Sequence, residues 1–151
     1  MRTPPKGFRI LIFHDVPEPS FPAFTAFVEY LVRTHGVISP EDAASRLAGG
    51  AAVQQTPGRH DPYLLSFDDG FAGNFKLANQ ILSRFDIQAL FFICPGLVEL
   101  DAEAQRRSIA ANVFQGRAEA TDLQLMSWAE LRELSAAGHS IGCHGMTHKR
   151  L

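Results

Sequence analysis

The chain has 151 residues, about the length of one domain, and 46% of them are hydrophobic and 20% charged, as in an ordinary globular protein. Its 14 Lys and Arg residues against 16 Asp and Glu residues give a net charge of −2, which offers no basic surface for nucleic acid. No apolar run reaches the roughly 18 residues of a membrane span, and the apolar stretch after the basic N-terminus is too short for the core of a signal peptide. As given, the chain is expected to be cytoplasmic.

Apolar runs alternate with helical periodicities along the chain. The first half predicts, in order, a buried strand over 8–13, an amphipathic helix over about 21–34, a short helix from Pro40 to Leu47 capped by Ser39, a loop over 51–62 and a strand over 63–67. The second half predicts a helix over 75–85, a strand over 88–94, a weakly helical segment over 101–115, a helix from the capping box at Ser127 to Gly138, and a strand over 140–143. Strands that alternate with helices predict an α/β fold of βα repeats with a parallel sheet of about four strands.

Polar residues follow three of the predicted strands, at the point where each strand ends. These clusters are His14-Asp15, Asp68-Asp69 and His144-x-x-x-His148. The site of an α/β fold forms beyond the carboxyl ends of its strands, so these clusters are expected at one site. Adjacent carboxylates do not easily both stay ionised without a cation nearby, and adjacent residues at a strand end point in different directions. Two histidines four residues apart have a metal-chelating spacing if the backbone turns once between them.

Each cluster taken alone also has a structural interpretation. Asp68-Asp69-Gly70 is typical of a turn that caps a helix, many His-x-x-x-His pairs are solvated, and His14 is equally well explained as a core histidine. A small flavodoxin-like or receiver-like domain also binds magnesium with an acidic pair, but Cys94-Pro95 stands where a receiver needs an Asp. An acidic pair and a histidine pair that both follow buried strands of one sheet favour a metal site.

Two longer motifs occur in order along the chain. The first is Ser66-Phe-Asp-Asp-Gly-Phe71, followed by a helix and by Ala89-Leu-Phe-Phe-Ile-Cys94. The second is Ala137-Gly-His-Ser-Ile-Gly-Cys-His144-Gly-Met-Thr-His148, preceded by the helical stretch 128–134. Together they resemble the two signatures of the polysaccharide deacetylase family (the NodB-homology domain, carbohydrate esterase family 4). The resemblance runs from about residue 8 to the end, so we expect a tail over 1–7 and an incomplete domain of this type over 8–151.

The resemblance implies a function and the residues that carry it. By position, Asp68 matches the catalytic base that activates water, and Asp69, His144 and His148 match the ligands of one divalent metal ion, with zinc expected. The implied reaction is hydrolysis of N-acetyl (or O-acetyl) groups on an oligo- or polysaccharide, which yields acetate. His14 is a further candidate for the pocket.

The resemblance also implies that this domain is incomplete. Members of the family form a distorted, TIM-like (β/α) barrel of about seven or eight strands, and the strands predicted here would be the first half of it. The later signatures supply an Arg that orients the base and a His that acts as general acid, whereas this chain stops three residues after His148. Gly145 also stands where Ser or Thr is common and could brace the loop.

Two expectations follow from the missing signatures. The first is a truncated deacetylase, poor or inactive by itself, that self-associates or needs a second polypeptide to complete the barrel. The alternative is a non-catalytic remnant of the domain that binds metal or carbohydrate.

Overall fold

Four parallel strands form a single sheet in the described part of the chain, which in this computed structural model comprises residues 7–49, 61–116 and 123–149. The strands are β1 (Arg9–Phe13), β2 (Tyr63–Phe67), β3 (Leu90–Ile93) and β4 (Ser140–Cys143), and they lie side by side in that order. Each neighbouring pair is parallel. The α/β fold with a parallel sheet is confirmed, and each strand lies within two residues of its predicted bounds.

Helices occupy the segments between the strands. In the described residues they are α1 (Phe21–Thr34), α2 (Pro40–Leu47), α3 (Ala72–Gln80), α4 (Pro95–Val98), α5 (Ala102–Ser108) and α6 (Trp128–Ala136). Glu18–Ser20 and Leu82–Phe85 form short 3-10 turns, and Ile109–Val113 forms a π-helical segment. None of these helices is long and apolar enough to cross a membrane. Residues 1–6 of the predicted tail and residues 51–60 of the predicted loop lie outside the described residues.

Local signals set most helix boundaries as the sequence predicts. The Ser39 hydroxyl accepts a hydrogen bond from the backbone N–H of Asp42 at 3.1 Å, and Pro40 begins α2. Ser127 and Glu130 form the predicted capping box at the start of α6. These contacts satisfy N–H groups that a helix leaves without partners in its first turn.

Two boundaries differ from the prediction. The helix expected over 75–85 begins at Ala72 and ends at Gln80 as α3, and the 3-10 turn Leu82–Phe85 follows it. The apolar periodicity does not predict this early start because the first turn of α3 carries small and polar residues. The second difference is α4, which begins at Pro95, where the prediction had only the end of a strand. Proline suits this place because the first turn of a helix needs no N–H from it.

One face of the sheet packs against α1, α3 and α6 and forms the main core. Phenylalanine rings of three neighbouring strands stack there: Phe67 lies between Phe13 and Phe91, with ring centroids 5.4 and 5.1 Å away. The helices contribute buried side chains such as Val28 and Leu77. Close packing of this kind fixes the strands relative to one another, and so it also fixes the residues that follow them.

The opposite face of the sheet is covered only in part within the described residues. Leu64 of β2 packs there with Ala43 of α2 and with Ile38, which lies just before that helix. On the neighbouring strand β1, the side chains of Ile10 and Ile12 are 52% and 59% exposed. In the described sheet β1 is an edge strand, so it presents apolar side chains next to an unpaired backbone.

The register brings the carboxyl ends of the strands to one edge of the sheet. Phe13 is aligned with Phe67, the last residue of β2. Just beyond, the backbone N–H of Asp68 donates to the carbonyl of Phe13 at 2.8 Å, and the N–H of His144 donates to the carbonyl of Ile93 at 2.7 Å. Asp68, the first residue of the acidic pair, and His144 are therefore held to neighbouring strands by backbone hydrogen bonds.

Candidate metal centre

Three side chains that follow β2 and β4 meet at this edge of the sheet. One donor atom each of Asp69, His144 and His148 lies within 4.8 Å of the others. The Asp69 Oδ1 atom is 3.2 Å from His148 Nε2 and 3.6 Å from His144 Nε2. Donor atoms around a tetrahedral zinc ion, with bonds of about 2.0–2.1 Å, lie about 3.3–3.4 Å apart. The spacing of these atoms is therefore close to that of a tetrahedral metal site.

The carboxylate of Asp69 shows why a cation fits this cluster. Asp69 is 1% exposed, and within the described part of the chain neither of its oxygens accepts a hydrogen bond. A buried carboxylate without donors is costly by several kcal/mol, and a cation shared with two imidazoles removes that cost. One carboxylate and two imidazoles are also a donor set that leaves a coordination position open for a reactant. The three residues thus fit a divalent metal ion.

The two adjacent aspartates meet different surroundings, as the sequence predicts. Asp69 has a left-handed backbone, with a φ of 71°, and Gly70 after it has a φ of 80°. Aspartate tolerates this conformation better than most residues, and glycine adopts it without strain. Asp68 directly follows β2 and is half-buried, with the Ser66 hydroxyl 3.5 Å from its Oδ1 atom. The turn at 69–70 therefore separates a buried carboxylate from one that is partly exposed.

Comparison with known proteins shows where this chain belongs. The family model described as "Polysaccharide deacetylase" matches residues 55–151, more than half of the chain. The chain belongs to the polysaccharide deacetylase family. The resemblance inferred from the two motifs is thereby confirmed. A search of curated proteins finds no match.

Solved structures share the fold of this deacetylase-family chain. The structure of IcaB from Ammonifex degensii matches with a TM-score of 0.68 and 23% identity, covering 91% of this chain and 52% of that one. The BpsB deacetylase domain from Bordetella bronchiseptica matches with a TM-score of 0.61 and 21% identity, covering 93% of this chain and 55% of that one. The Streptococcus pyogenes deacetylase PplD, solved in complex with acetate, matches with a TM-score of 0.56 and 20% identity, covering 91% of this chain and 55% of that one. This chain therefore spans about half the length of the deacetylase structures that it matches.

The two histidines of this family member lie on an irregular loop, residues 144–148, which we name the histidine loop. The backbone turns at Gly145, with a φ of 81°, and again at His148, with a φ of 55°. The imidazole centroids of His144 and His148 are 5.0 Å apart. The backbone turn expected between the two histidines is thus made at the left-handed Gly145, with no helix involved.

Neighbouring segments brace the histidine loop at three of its backbone carbonyls. The Cys94 thiol donates a hydrogen bond to the carbonyl of His144 at 3.4 Å. The Gly96 N–H donates to the carbonyl of Met146 at 2.9 Å, and the Asn112 side-chain amide donates to the carbonyl of Thr147 at 2.7 Å. Residue 145 has no hydroxyl that could brace the loop. The bracing hydrogen bonds come instead from Cys94, from α4 and from the segment after α5.

Two of these donors depend closely on their residue type. A Cβ atom at Gly96 would lie 2.9 Å from the Met146 carbonyl oxygen, so only glycine allows this approach. Burial, and then the nearby Asp69 carboxylate, raises the pKa of the Cys94 thiol to about 11. The thiol therefore stays protonated and can donate to the loop.

His14, the further candidate from the sequence, stands at the end of β1. Its side chain is exposed, and the cluster that can hold a metal in the described residues does not include it. Its carbonyl accepts a hydrogen bond from the amide of Asn74 at 2.6 Å. In the next residue, Asp15, burial raises the pKa of the carboxyl. A Cβ atom at Gly73 would lie 2.9 Å from the Oδ1 atom of Asp15. A role for His14 in the pocket stays a prediction.

Sequence reasoning missed two asparagines of this region. Asn74 is fully buried and lies on the same side of α3 as Leu77 and Ala78, so a polar residue on an apolar stripe was the available signal. Asn112 carried no such signal. It lies in a weakly periodic segment, and its partner Thr147 is 35 residues further along the chain.

Proposed function

We propose that this chain carries the metal site and the water-activating base of a deacetylase that removes N-acetyl, or O-acetyl, groups from a carbohydrate. The observation that carries the proposal is the buried carboxylate of Asp69, which faces two imidazoles at the carboxyl edge of the sheet. Family membership supplies the reaction class and the carbohydrate substrate.

In this proposal Asp69, His144 and His148 hold one divalent ion, and zinc suits the donor set best. When bound, the ion supplies Lewis acidity toward the acetyl carbonyl and toward water. The protein contributes a fixed, partly buried position for it, because each ligand follows a strand of the sheet directly or through the braced histidine loop.

Asp68 is proposed as the general base. It follows β2 directly, its carboxylate is half-buried, and the imidazoles contact its neighbour instead. It takes a proton from the attacking water as the water oxygen bonds to the acetyl carbon. For an N-acetyl substrate the C–N bond then breaks as the leaving nitrogen takes up a proton, and the products are a free amine and acetate. His14 lies at the same edge of the sheet and is proposed as part of the pocket wall.

The second candidate is a non-catalytic domain that binds a metal ion or a carbohydrate. It is favoured by one observation, the coverage of only about half of each matching deacetylase structure. A test must therefore separate binding of the ion from turnover.

Substitution of the two aspartates makes this separation. We expect the zinc affinity of Asp69→Asn to fall by more than the roughly 10–100-fold typical of residues around the ligands, because a ligand oxygen is lost. In an active, complete form of the domain, Asp68→Asn should keep its zinc and lose acetate release by a factor on the order of 10²–10⁴, because the base is lost. Zinc binding is measured by titration calorimetry, and acetate by an enzymatic assay on N-acetylglucosamine oligomers.

Asp86→Asn is the matched control. Asp86 is also a left-handed aspartate, with a φ of 53°, but it is exposed. This variant should bind zinc and release acetate like the unmodified chain. Equal loss of zinc from Asp68→Asn and Asp69→Asn would contradict the assigned roles. Because an incomplete deacetylase is expected to be poor or inactive by itself, the non-catalytic candidate would be supported by a complete form of the domain that binds zinc and releases no acetate.

A further inference from the structure

Asn112 contacts the histidine loop with two of its own groups. Its side-chain amide donates a hydrogen bond to the carbonyl of Thr147 at 2.7 Å. Its backbone carbonyl lies 3.2 Å from the Nδ1 atom of His148. One residue of the π-helical segment Ile109–Val113 therefore holds two consecutive residues of the loop, the second of them a candidate ligand.

The backbone contact determines which nitrogen of the His148 ring carries a proton. A carbonyl oxygen can only accept a hydrogen bond, so Nδ1 of His148 must donate. A neutral imidazole with a proton on Nδ1 has a free lone pair on Nε2. That Nε2 atom is the one that lies 3.2 Å from Asp69 Oδ1. The contact thus presents the atom that a metal needs.

The carbonyl of Asn112 is available for this contact because of its place in the π-helical segment. A helix leaves its last carbonyls without partners, and Asn112 is the next-to-last residue of the segment. The backbone N–H of Phe114 bonds instead to the carbonyl of Ile109 at 3.1 Å. The π-helical segment directly follows α5, and π-helical turns occur frequently at functional sites.

The side-chain contact holds the backbone that orients the ring. His148 has a φ of 55°, a conformation that non-glycine residues seldom adopt. The amide of Asn112 fixes the peptide carbonyl of Thr147, directly before this unusual residue. Without the amide, the peptide group can rotate toward water, and the ring of His148 can leave the Asn112 carbonyl.

We propose that Asn112 is a positioning residue for the metal site: its amide and its carbonyl together hold His148 as the Nδ1–H tautomer with Nε2 directed at Asp69. This inference rests on the proposed metal site. It adds a residue 36 positions before His148 in the chain, in a segment outside both sequence motifs.

Substitution of Asn112 tests the proposal in the complete 151-residue chain. We expect Asn112→Ala and the similarly sized Asn112→Asp to weaken zinc binding about 10–100-fold, the usual effect of changing a partner of a ligand. Asn79→Ala is the matched control, because Asn79 is an exposed asparagine on α3, and its zinc affinity should equal that of the unmodified chain. Far-UV circular dichroism and the melting temperature show whether each variant is folded.

The tautomer of His148 gives a second measurement that needs no metal. Long-range ¹H–¹⁵N correlation spectra of the zinc-free chain at about pH 8, where an ordinary histidine is neutral, report which nitrogen is protonated. We expect a proton on Nδ1 of His148 in the unmodified chain, whether or not the facing Asp69 carboxylate also holds one on Nε2, and only partial protonation of Nδ1 in Asn112→Ala. A general loss of stability in the variant would not by itself change this occupancy of Nδ1.

Two results would overturn the role of Asn112: a predominant Nε2–H tautomer in the unmodified chain, or a zinc affinity of Asn112→Ala within about twofold of the unmodified chain. An unmodified chain that binds no zinc would instead refute the proposed function. In that case the tautomer still decides whether Asn112 holds His148.

Discussion

His139 is a buried histidine whose role is structural. Its Nδ1 atom accepts a hydrogen bond from the backbone N–H of Ala89 at 3.0 Å, directly before β3 begins. Its ring packs edge-on against Phe91, with centroids 5.3 Å apart. An imidazole that accepts through Nδ1 carries its proton on Nε2, and protonation of Nδ1 would break the bond. Burial accordingly lowers the pKa of His139.

The lowered pKa of His139 predicts a pH-dependent stability. Because the unfolded chain takes up a proton near pH 6.5 and the folded chain does so only at lower pH, the free energy of unfolding should decrease as the pH falls below about 6.5. Urea unfolding midpoints between about pH 8 and 5, with a chelator present, measure this change. In His139→Gln the decrease should be smaller, and the difference between the two chains isolates this residue from the other histidines. Parallel curves for the two chains would contradict the prediction.

At the scale of single elements, α6 shows how a local signal supports the core. The backbone N–H of Ser127 donates to the Glu130 carboxylate at 2.7 Å, and the Ser127 hydroxyl accepts from the Glu130 N–H at 3.3 Å. The helix then buries Leu131 and Leu134 against the core. The capping box therefore fixes the start of a helix that covers one face of the sheet.

Loss of this cap should destabilise the chain measurably. We expect Ser127→Ala to lower the free energy of unfolding by about 0.5–2 kcal/mol, because the first turn of α6 loses a hydrogen-bond acceptor. In a domain of this size, 1 kcal/mol corresponds to about 2–4 °C in the melting temperature. Ser135→Ala, at an exposed position inside the same helix, is the control and should be neutral or slightly stabilising, since alanine has the higher helix propensity. Equal melting temperatures for the two variants would count against the role of the cap.

The elements that the sequence predicts well are those whose signals are local. Proline after serine at 39–40, the capping box at 127–130 and the apolar runs of the strands each act within a few residues. The end of α3 at Gln80 and the short helix α4 were missed because an apolar period continues through the 3-10 turn and because Pro95 marks both a strand end and a helix start.

The candidate site was predictable where topology alone brings residues together. Asp69 and His144 follow strands of one parallel sheet, so their meeting at one edge follows from the fold. The left-handed backbone of His148 and its contact with Asn112 depend on packing between distant segments. No periodicity or spacing in the sequence encodes that contact.

At the scale of the whole molecule, the sheet face opposite α1, α3 and α6 suggests how the chain behaves in solution. Ile10 and Ile12 are exposed there on an edge strand of the described sheet, beside backbone groups without a neighbouring strand. Parallel sheets are generally covered on both faces, and exposed apolar edges pair with other chains. Association of the chain with another copy, or with a second polypeptide, would cover these side chains.

We therefore expect the 151-residue chain to self-associate. Light scattering coupled to size-exclusion chromatography should give a mass above 16.6 kDa that rises with concentration. The double variant Ile10→Thr/Ile12→Thr keeps β-branched side chains and should shift the chain toward the monomer. Leu47→Thr is the control, because Leu47 is 79% exposed at the end of α2, and it should leave the mass unchanged. A monomer at all concentrations would contradict this prediction.

The position of the three candidate ligands also has a consequence for cooperativity. Asp69 follows β2 and the histidines follow β4, so an ion held between them would join two strands that are separated by β3. Asp69 and His144 are 75 residues apart in sequence (144 − 69), and such an ion would act as a cross-link that closes this long segment of chain. A ligand present at about one hundred times its dissociation constant stabilises the folded state by about 2.7 kcal/mol. Ion binding and assembly of the β2–β3–β4 sheet would then be coupled, so that the stability of this part of the sheet would increase with the ion concentration.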